Sequence, residues 1–216
     1  MINSIFYYIL LFIIIIFYCI NLINNIKKSP KRVKLLFSIL MILAIIKNIT
    51  IVMVSLFKDP SHINIFKTLC FSDLFYVPAL LIVVFYIFWR NNDFNFNFIM
   101  VEVVIMFIGY ILLMFSLSFR FIVFLNYGYA IEATQHIFNL IFIFMMIYLL
   151  VRVLFSKKCI RTNHRGIGSI VIVLIAYIIE YSMGMCNFTF YPYTLIAEIL
   201  LLFIVNFSIN SFVECY

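Results

Sequence analysis

Four ionisable residues fall within or beside long apolar stretches of the chain, namely Glu132, His136, Glu180 and Glu198. A charge at the bilayer centre costs about 2.5–3.5 kcal/mol on insertion scales, so ionisable groups in spans are candidates for function. Glu132 and His136 are spaced i, i+4, which places them on one helical face, and a histidine changes charge near neutral pH. The sequence therefore predicts an outward-opening polar cavity in which these four residues form a ligand or proton site. Ordinary interhelical hydrogen bonding stays open as the alternative, because the three glutamates lie near the outer boundary.

Lys47 is predicted to lie deeper in the membrane than these residues. Its ammonium group can pair with Glu102 or Glu198, or its long stem can carry the charge to the interface. A structural role is favoured, and the pair that we predict is a buried one between Lys47 and Glu102.

Known catalytic motifs are missing from the sequence. It contains no GxSxG, no HExxH and no Gly-rich phosphate loop. Its five cysteines show no metal-ligand spacing. We therefore expect no enzymatic activity, no cofactor and no metal.

The elements that must position these residues are membrane spans. The 216 residues are 67% hydrophobic and only 11% charged, and the mean hydropathy is +1.22. A span needs about 20 apolar residues, and apolar runs predict spans at 4–22, 33–57, 69–89, 98–118, 134–155, 167–184 and 193–209. This predicts an all-α integral membrane protein, a single domain over 1–216 with about seven transmembrane helices and no soluble domain. Six or eight spans stay possible, because the break around 118–134 is weak.

Basic residues decide the predicted orientation. The first, third and fifth loops hold most of them: Lys27, Lys28, Lys31, Arg32, Lys34, Arg90, Arg152, Lys157, Lys158, Arg161 and Arg165. The opposite side holds Lys58, Lys67 and Arg120. We therefore expect the amino terminus outside and the carboxyl terminus in the cytoplasm. The basic residues behind the formal charge of +7 lie mostly at span ends, so the expected partner is the lipid bilayer and not nucleic acid. The composition also suggests an AT-rich genome, which favours a bacterial cell membrane.

Short motifs follow one another in a particular order along the chain. The third span contains Pro78 and finishes with the aromatic segment Phe85-Tyr86-Ile87-Phe88-Trp89. The fifth span is led by His136 and ends at Arg152, before the basic loop 157–165. The segment Asn187-Phe188-Thr189-Phe190-Tyr191-Pro192 then opens the last span. In this order, and with the amino terminus outside, the chain resembles the seven-transmembrane sensor region at the amino terminus of many bacterial histidine kinases.

The resemblance implies a membrane-embedded sensor-like or regulatory module whose last helix delivers a signal inward. The sequence ends at Tyr216 without the kinase domains of that family. We therefore expect the module to act through another membrane or cytoplasmic signalling protein. The alternative is a small transporter or permease subunit that uses the intramembrane carboxylate and histidine groups as a proton or cation site.

Overall fold

The computed structural model describes residues 2–56, 63–89, 96–124, 128–133, 136–156, 163–186 and 193–212. Two segments used for the resemblance, 157–162 and 187–192, lie outside the described residues. The elements in chain order are α1 (Ile2–Lys28), α2 (Lys31–Leu56), α3 (Ile63–Cys70), α4 (Asp73–Trp89), α5 (Phe96–Ser116), β1 (Phe119–Phe124), β2 (Gly128–Ala133), α6 (Ile137–Phe155), α7 (His164–Met185) and α8 (Ile196–Asn210).

Six of the helical segments are long and apolar enough to cross a membrane. They are α1, α2, the stretch Phe66–Trp89 formed by α3 and α4, α5, α6 and α7. The helix α8 is apolar as well but has 15 residues. The described chain is thus a bundle of apolar helices of the kind found in multi-pass membrane proteins.

Helix α4 forms the centre of the bundle. Nearly all of its side chains are buried, and α2, α5, α6, α7 and α8 pack around it. A helix that is apolar on every side is stable only when it is surrounded. The outer helices instead expose large apolar side chains, as expected for surfaces that face lipid. Helix α8 packs against both α1 and α7, so the first and last of the described helices are in contact.

A β-hairpin interrupts the helices, and the all-α prediction misses it. Strands β1 and β2 pair antiparallel from Phe119 opposite Ala133 to Phe124 opposite Gly128. Gly128 has a φ of +84°, a value that few residues other than glycine adopt, and a Cβ there would lie 2.9 Å from the Ser55 carbonyl oxygen of α2. The aromatic and β-branched residues of 119–124 suit a strand, so the weak break in the sequence contains a pair of strands, of which β2 packs against α2.

The start of α7 is fixed against the end of α4 at Gly166. A Cβ on Gly166 would lie 2.5 Å from the ring of Phe88, a side chain that is itself fully buried. The backbone N–H of Asn163 donates to the Phe88 carbonyl oxygen at 2.9 Å, and the Asn163 side chain accepts from the Gly166 N–H at 3.1 Å. Only a residue without a side chain allows this approach.

Candidate functional site

Glu198, the third residue of α8, is the centre of a group of buried polar side chains. Its Oε2 accepts from Lys47 Nζ at 2.7 Å, and its Oε1 accepts from Asn48 Nδ2 and from the Tyr76 hydroxyl, both at 2.8 Å. Lys47 and Asn48 belong to α2 and Tyr76 belongs to α4. Because both side chains of the ion pair are 1% exposed, water does not compete for these bonds, and one carboxylate joins three helices.

A second buried carboxylate, Asp73, lies at the start of α4. Its Oδ2 accepts from the Tyr181 hydroxyl of α7 at 2.6 Å, and its Oδ1 accepts from the Leu74 N–H at 3.0 Å. Asp73 also lies within the electrostatic reach of Lys47 and Glu198. The two carboxylates thus share one neighbourhood and one lysine.

Two tyrosines, Tyr18 of α1 and Tyr177 of α7, complete this neighbourhood. Both are fully buried, and their hydroxyls form no hydrogen bond of standard geometry with the described residues. Tyr18 lies beside Tyr76 and Glu198, and Tyr177 lies near Tyr18 and Glu198. We call the set the buried polar core; its members are Tyr18, Lys47, Asn48, Asp73, Tyr76, Tyr177, Tyr181 and Glu198.

The buried polar core lies well inside the bundle. Along α2, Lys47 is eight residues from Ser55, or about 12 Å at 1.5 Å per residue, and 16 residues from Lys31, or about 24 Å. The hairpin packs on α2 at the Ser55 level. If a hydrocarbon layer of about 30 Å is centred between Lys31 and Ser55, Lys47 lies about 9 Å from the boundary on the Ser55 side, roughly one third of the way through the layer.

The four residues predicted as a ligand or proton site are not brought together. Glu132 lies in β2 and pairs with Arg120 of β1 at 3.0 Å, with side chains 43% and 63% exposed. His136 precedes α6, is exposed, and makes no capping bond with its side chain. The predicted helical face of Glu132 and His136 is wrong, because Glu132 belongs to a strand. Of the four, only Glu198 forms hydrogen bonds within the polar core.

Glu180 holds the start of α8. Its Oε1 accepts from the N–H of Leu195 at 2.9 Å and of Ile196 at 3.4 Å, and its Oε2 accepts from the N–H of Ala197 at 2.9 Å. The first N–H groups of a helix have no partner within it, and a negative charge suits that end. A side chain from α7 thus caps α8 one residue before Glu198 and fixes where that carboxylate lies.

We expect Glu180→Ala to lower the free energy of unfolding by about 0.5–2 kcal/mol, the range for a lost helix cap. Glu180→Gln keeps one acceptor oxygen and should lose less. Unfolding by denaturing detergent, followed by the loss of helical circular dichroism, measures both. Glu132→Ala is the matched control, because an exposed ion pair contributes about 0–1 kcal/mol; an equal loss in both alanine variants would contradict the cap.

The predicted pair between Lys47 and Glu102 is also corrected. Lys47 pairs with Glu198, and Glu102 of α5 pairs with Arg152 of α6. Arg152 lies in the last turn of α6 and not in the fifth loop, where the sequence places it. Its guanidinium extends back along the bundle to a carboxylate that is also about one-fifth exposed. Glu102 is therefore paired with Arg152 and not with Lys47.

Asp73 and the tyrosines of the core were missed by the sequence analysis. Asp73 follows Ser72 at a break between two helices, where an acidic residue is ordinary. Tyr177 and Tyr181 carried a usable signal, because a spacing of four places both on one face of a predicted span. Adjacent Lys47 and Asn48 in one apolar run were a second signal.

Metal binding gains no support from the described residues, among which no group of three or more His, Cys, Asp or Glu side chains is placed to hold an ion. The chain was also compared with known proteins. No family model, no curated protein and no solved structure matches it. The buried polar core therefore has to be interpreted from its own chemistry.

Proposed function

We propose that the chain is a sensor-like regulatory module of the cell membrane, without enzymatic activity, that acts through a partner protein. It spans the bilayer seven times, α8 being the seventh span, with the amino terminus outside and the carboxyl terminus in the cytoplasm. The buried polar core receives the stimulus, and α8 passes the response to the partner.

The ends of three helices support this orientation. Lys27 and Lys28 end α1, and Lys31 begins α2, so these bases mark one side of the bundle, which the positive-inside rule assigns to the cytoplasm. Lys28 Nζ donates to Asn210 Oδ1 at 2.7 Å. Because Asn210 ends α8, the last helix finishes on that same side.

The observation that carries the proposal is the position of Glu198. This carboxylate lies in the first turn of α8 and takes every one of its three side-chain hydrogen bonds from other helices. A change in the charge or contacts of the core therefore acts directly on the helix that leads to the cytoplasm. In the sensor region that the chain resembles, the corresponding last helix is the one that delivers the signal.

Photo-crosslinking tests the role of α8. A photoreactive phenylalanine analogue at Phe203, which is 57% exposed on α8, is compared with one at Phe115, 85% exposed on α5. In cells, we expect Phe203 to yield a discrete adduct with one membrane or signalling protein, and Phe115 to yield lipid adducts alone. The Phe203 adduct should change several-fold in the Glu198→Gln background.

Two results would count against the proposal. Adducts of the same kind and yield from both positions would mean that α8 faces lipid in the same way as α5. A Phe203 adduct whose yield ignores Glu198→Gln would mean that the polar core does not control the contact.

Transport is the second candidate, and the depth of the charges favours it. Intramembrane Lys47, Asp73 and Glu198 are of the kind that line ion and proton paths. Purified protein in liposomes that contain a pH-sensitive dye separates the two roles. A proton or cation flux that disappears in Glu198→Gln would establish a transporter, whereas liposomes as tight as protein-free ones would support the sensor role.

A further inference from the structure

The charges of the buried polar core do not balance. Two carboxylates, Asp73 and Glu198, face one ammonium group, that of Lys47, and all three are at most 5% exposed. No other lysine, arginine or histidine is buried among the described residues. If all three groups were ionised, the core would carry one uncompensated negative charge in the middle of the bundle.

The two carboxylates accept hydrogen bonds from different kinds of donor. Glu198 receives the ammonium group of Lys47 and two neutral donors. Asp73 receives only neutral donors, the hydroxyl of Tyr181 and a backbone N–H. Charged hydrogen bonds favour an ionised carboxylate more than neutral ones do, so Glu198 is the better site for the negative charge and Asp73 is the better site for a proton.

The groups that face Asp73 from the neighbouring elements add no second cation. They are Tyr18 of α1, Lys47 of α2, Cys70 of α3, Tyr76 of α4, Tyr110 of α5, Tyr181 of α7 and Glu198 of α8. The titratable residues of α6 are Tyr148 and Arg152, and Arg152 pairs with Glu102. In the hairpin, Arg120 pairs with Glu132.

Two buried hydroxyls give an independent sign that the core holds something besides these side chains. Tyr18 lies near both carboxylates and Tyr177 lies near Glu198, and neither hydroxyl forms a hydrogen bond of standard geometry with the described residues. Buried polar groups are nearly always bonded, and those that have no protein partner commonly bind ordered water. Hydroxyls both donate and accept hydrogen bonds, so either tyrosine can bind such a water.

We propose that the buried polar core binds one proton, held on Oδ2 of Asp73 and shared with the Tyr181 hydroxyl. The proton comes from water and adds to a carboxylate oxygen; no other bond is made or broken. The Tyr181 hydroxyl, which donates to the ionised carboxylate, then turns and accepts from the protonated one. Gain or loss of this proton changes the charge of the core by one unit and so changes the force on Glu198 and α8.

Infrared spectroscopy of the purified protein in lipid tests this site, because a protonated carboxyl group has a C=O stretching band that a carboxylate does not have. At neutral pH the wild type should show one such band from the core. Asp73→Asn and Glu198→Gln should each abolish it, because either change leaves one carboxylate for one lysine and restores the charge balance. Glu132→Gln, which alters an exposed carboxylate, should keep the band.

Two matched tyrosine variants locate the proton. Tyr181→Phe removes the hydroxyl at Asp73 and should shift the band, whereas Tyr76→Phe removes the hydroxyl at Glu198 and should leave it in place. A shift in Tyr76→Phe alone would move the proton to Glu198 and overturn the assignment. A wild type without the band, or a band that survives Asp73→Asn, would overturn the site itself.

The proton site deepens the proposed sensor role by naming the ligand, but the two can fail separately. Failure of the infrared test would leave the contact of α8 with a partner intact. Failure of the crosslinking test would leave a protonated core, whose purpose the liposome flux measurement then decides.

Discussion

Lys47→Met should lower the free energy of unfolding by about 3–5 kcal/mol, the cost of removing one partner from a buried ion pair. The substitution keeps the length and apolar volume of the lysine stem but removes the ammonium group that serves Glu198 at 2.7 Å. The Glu198 carboxylate then stays buried without a cation among the described residues. Unfolding in mixed micelles of mild and denaturing detergent, followed by circular dichroism, measures the loss.

The double variant Lys47→Met, Glu198→Gln separates charge from packing. Since it removes both members of the pair, most of the lost stability should return, and the coupling energy from the double-mutant cycle should be large. Arg120→Gln breaks the exposed pair of the hairpin and should cost about 0–1 kcal/mol. If Lys47→Met lowered the free energy of unfolding by no more than Arg120→Gln, the charges of the core would be accessible to water and not buried.

Gly166→Ala should lower the free energy of unfolding by about 1–3 kcal/mol, the range for an added methyl group in a filled core. Its Cβ would approach three carbons of the Phe88 ring to within 2.6 Å, and a planar ring at the end of a central helix has little room to turn. Thermal unfolding in mild detergent and chemical unfolding should both detect the loss.

Gly168 supplies a control with the opposite sign. A Cβ there meets nothing within 4 Å, and alanine favours a helix over glycine by up to about 1 kcal/mol, so Gly168→Ala should raise stability. Phe88→Leu combined with Gly166→Ala should recover part of the loss, because the smaller side chain gives the methyl group space. Equal effects at both glycines would mean that helix propensity, and not contact with Phe88, determines the result.

The sequence predicts the helices well because their signal is strong and local. Each long apolar run produced a helix, and six of them are long enough to cross a membrane. The hairpin shows the limit of hydropathy as a signal for helices. Residues 119–124 are as apolar as a span, but the run is short and Gly128 after it has a positive φ, and these features rather than hydropathy accompany the strand.

The candidate site was harder to predict because it depends on which helices meet. Glu198 was named from the sequence, but its partners Asn48 and Tyr76 lie more than 100 positions away. Nothing local distinguishes Lys47 facing α8 from Lys47 facing α5. Glu180 was predicted to lie in a cavity, and it caps α8 instead, since its carboxylate lies at the level where that helix begins.

The distance in sequence between Lys47 and Glu198 has a consequence for biosynthesis. The carboxylate is 151 positions after the lysine, so at about 5–20 residues per second the ribosome makes it about 8–30 s later. During that interval α2 is in the translocon or the bilayer with an ammonium group that has no counter-ion from α8. Lys47 and Asn48 can therefore reach their shared carboxylate only after α8 has been made, and until then this polar part of α2 has no partner from α8.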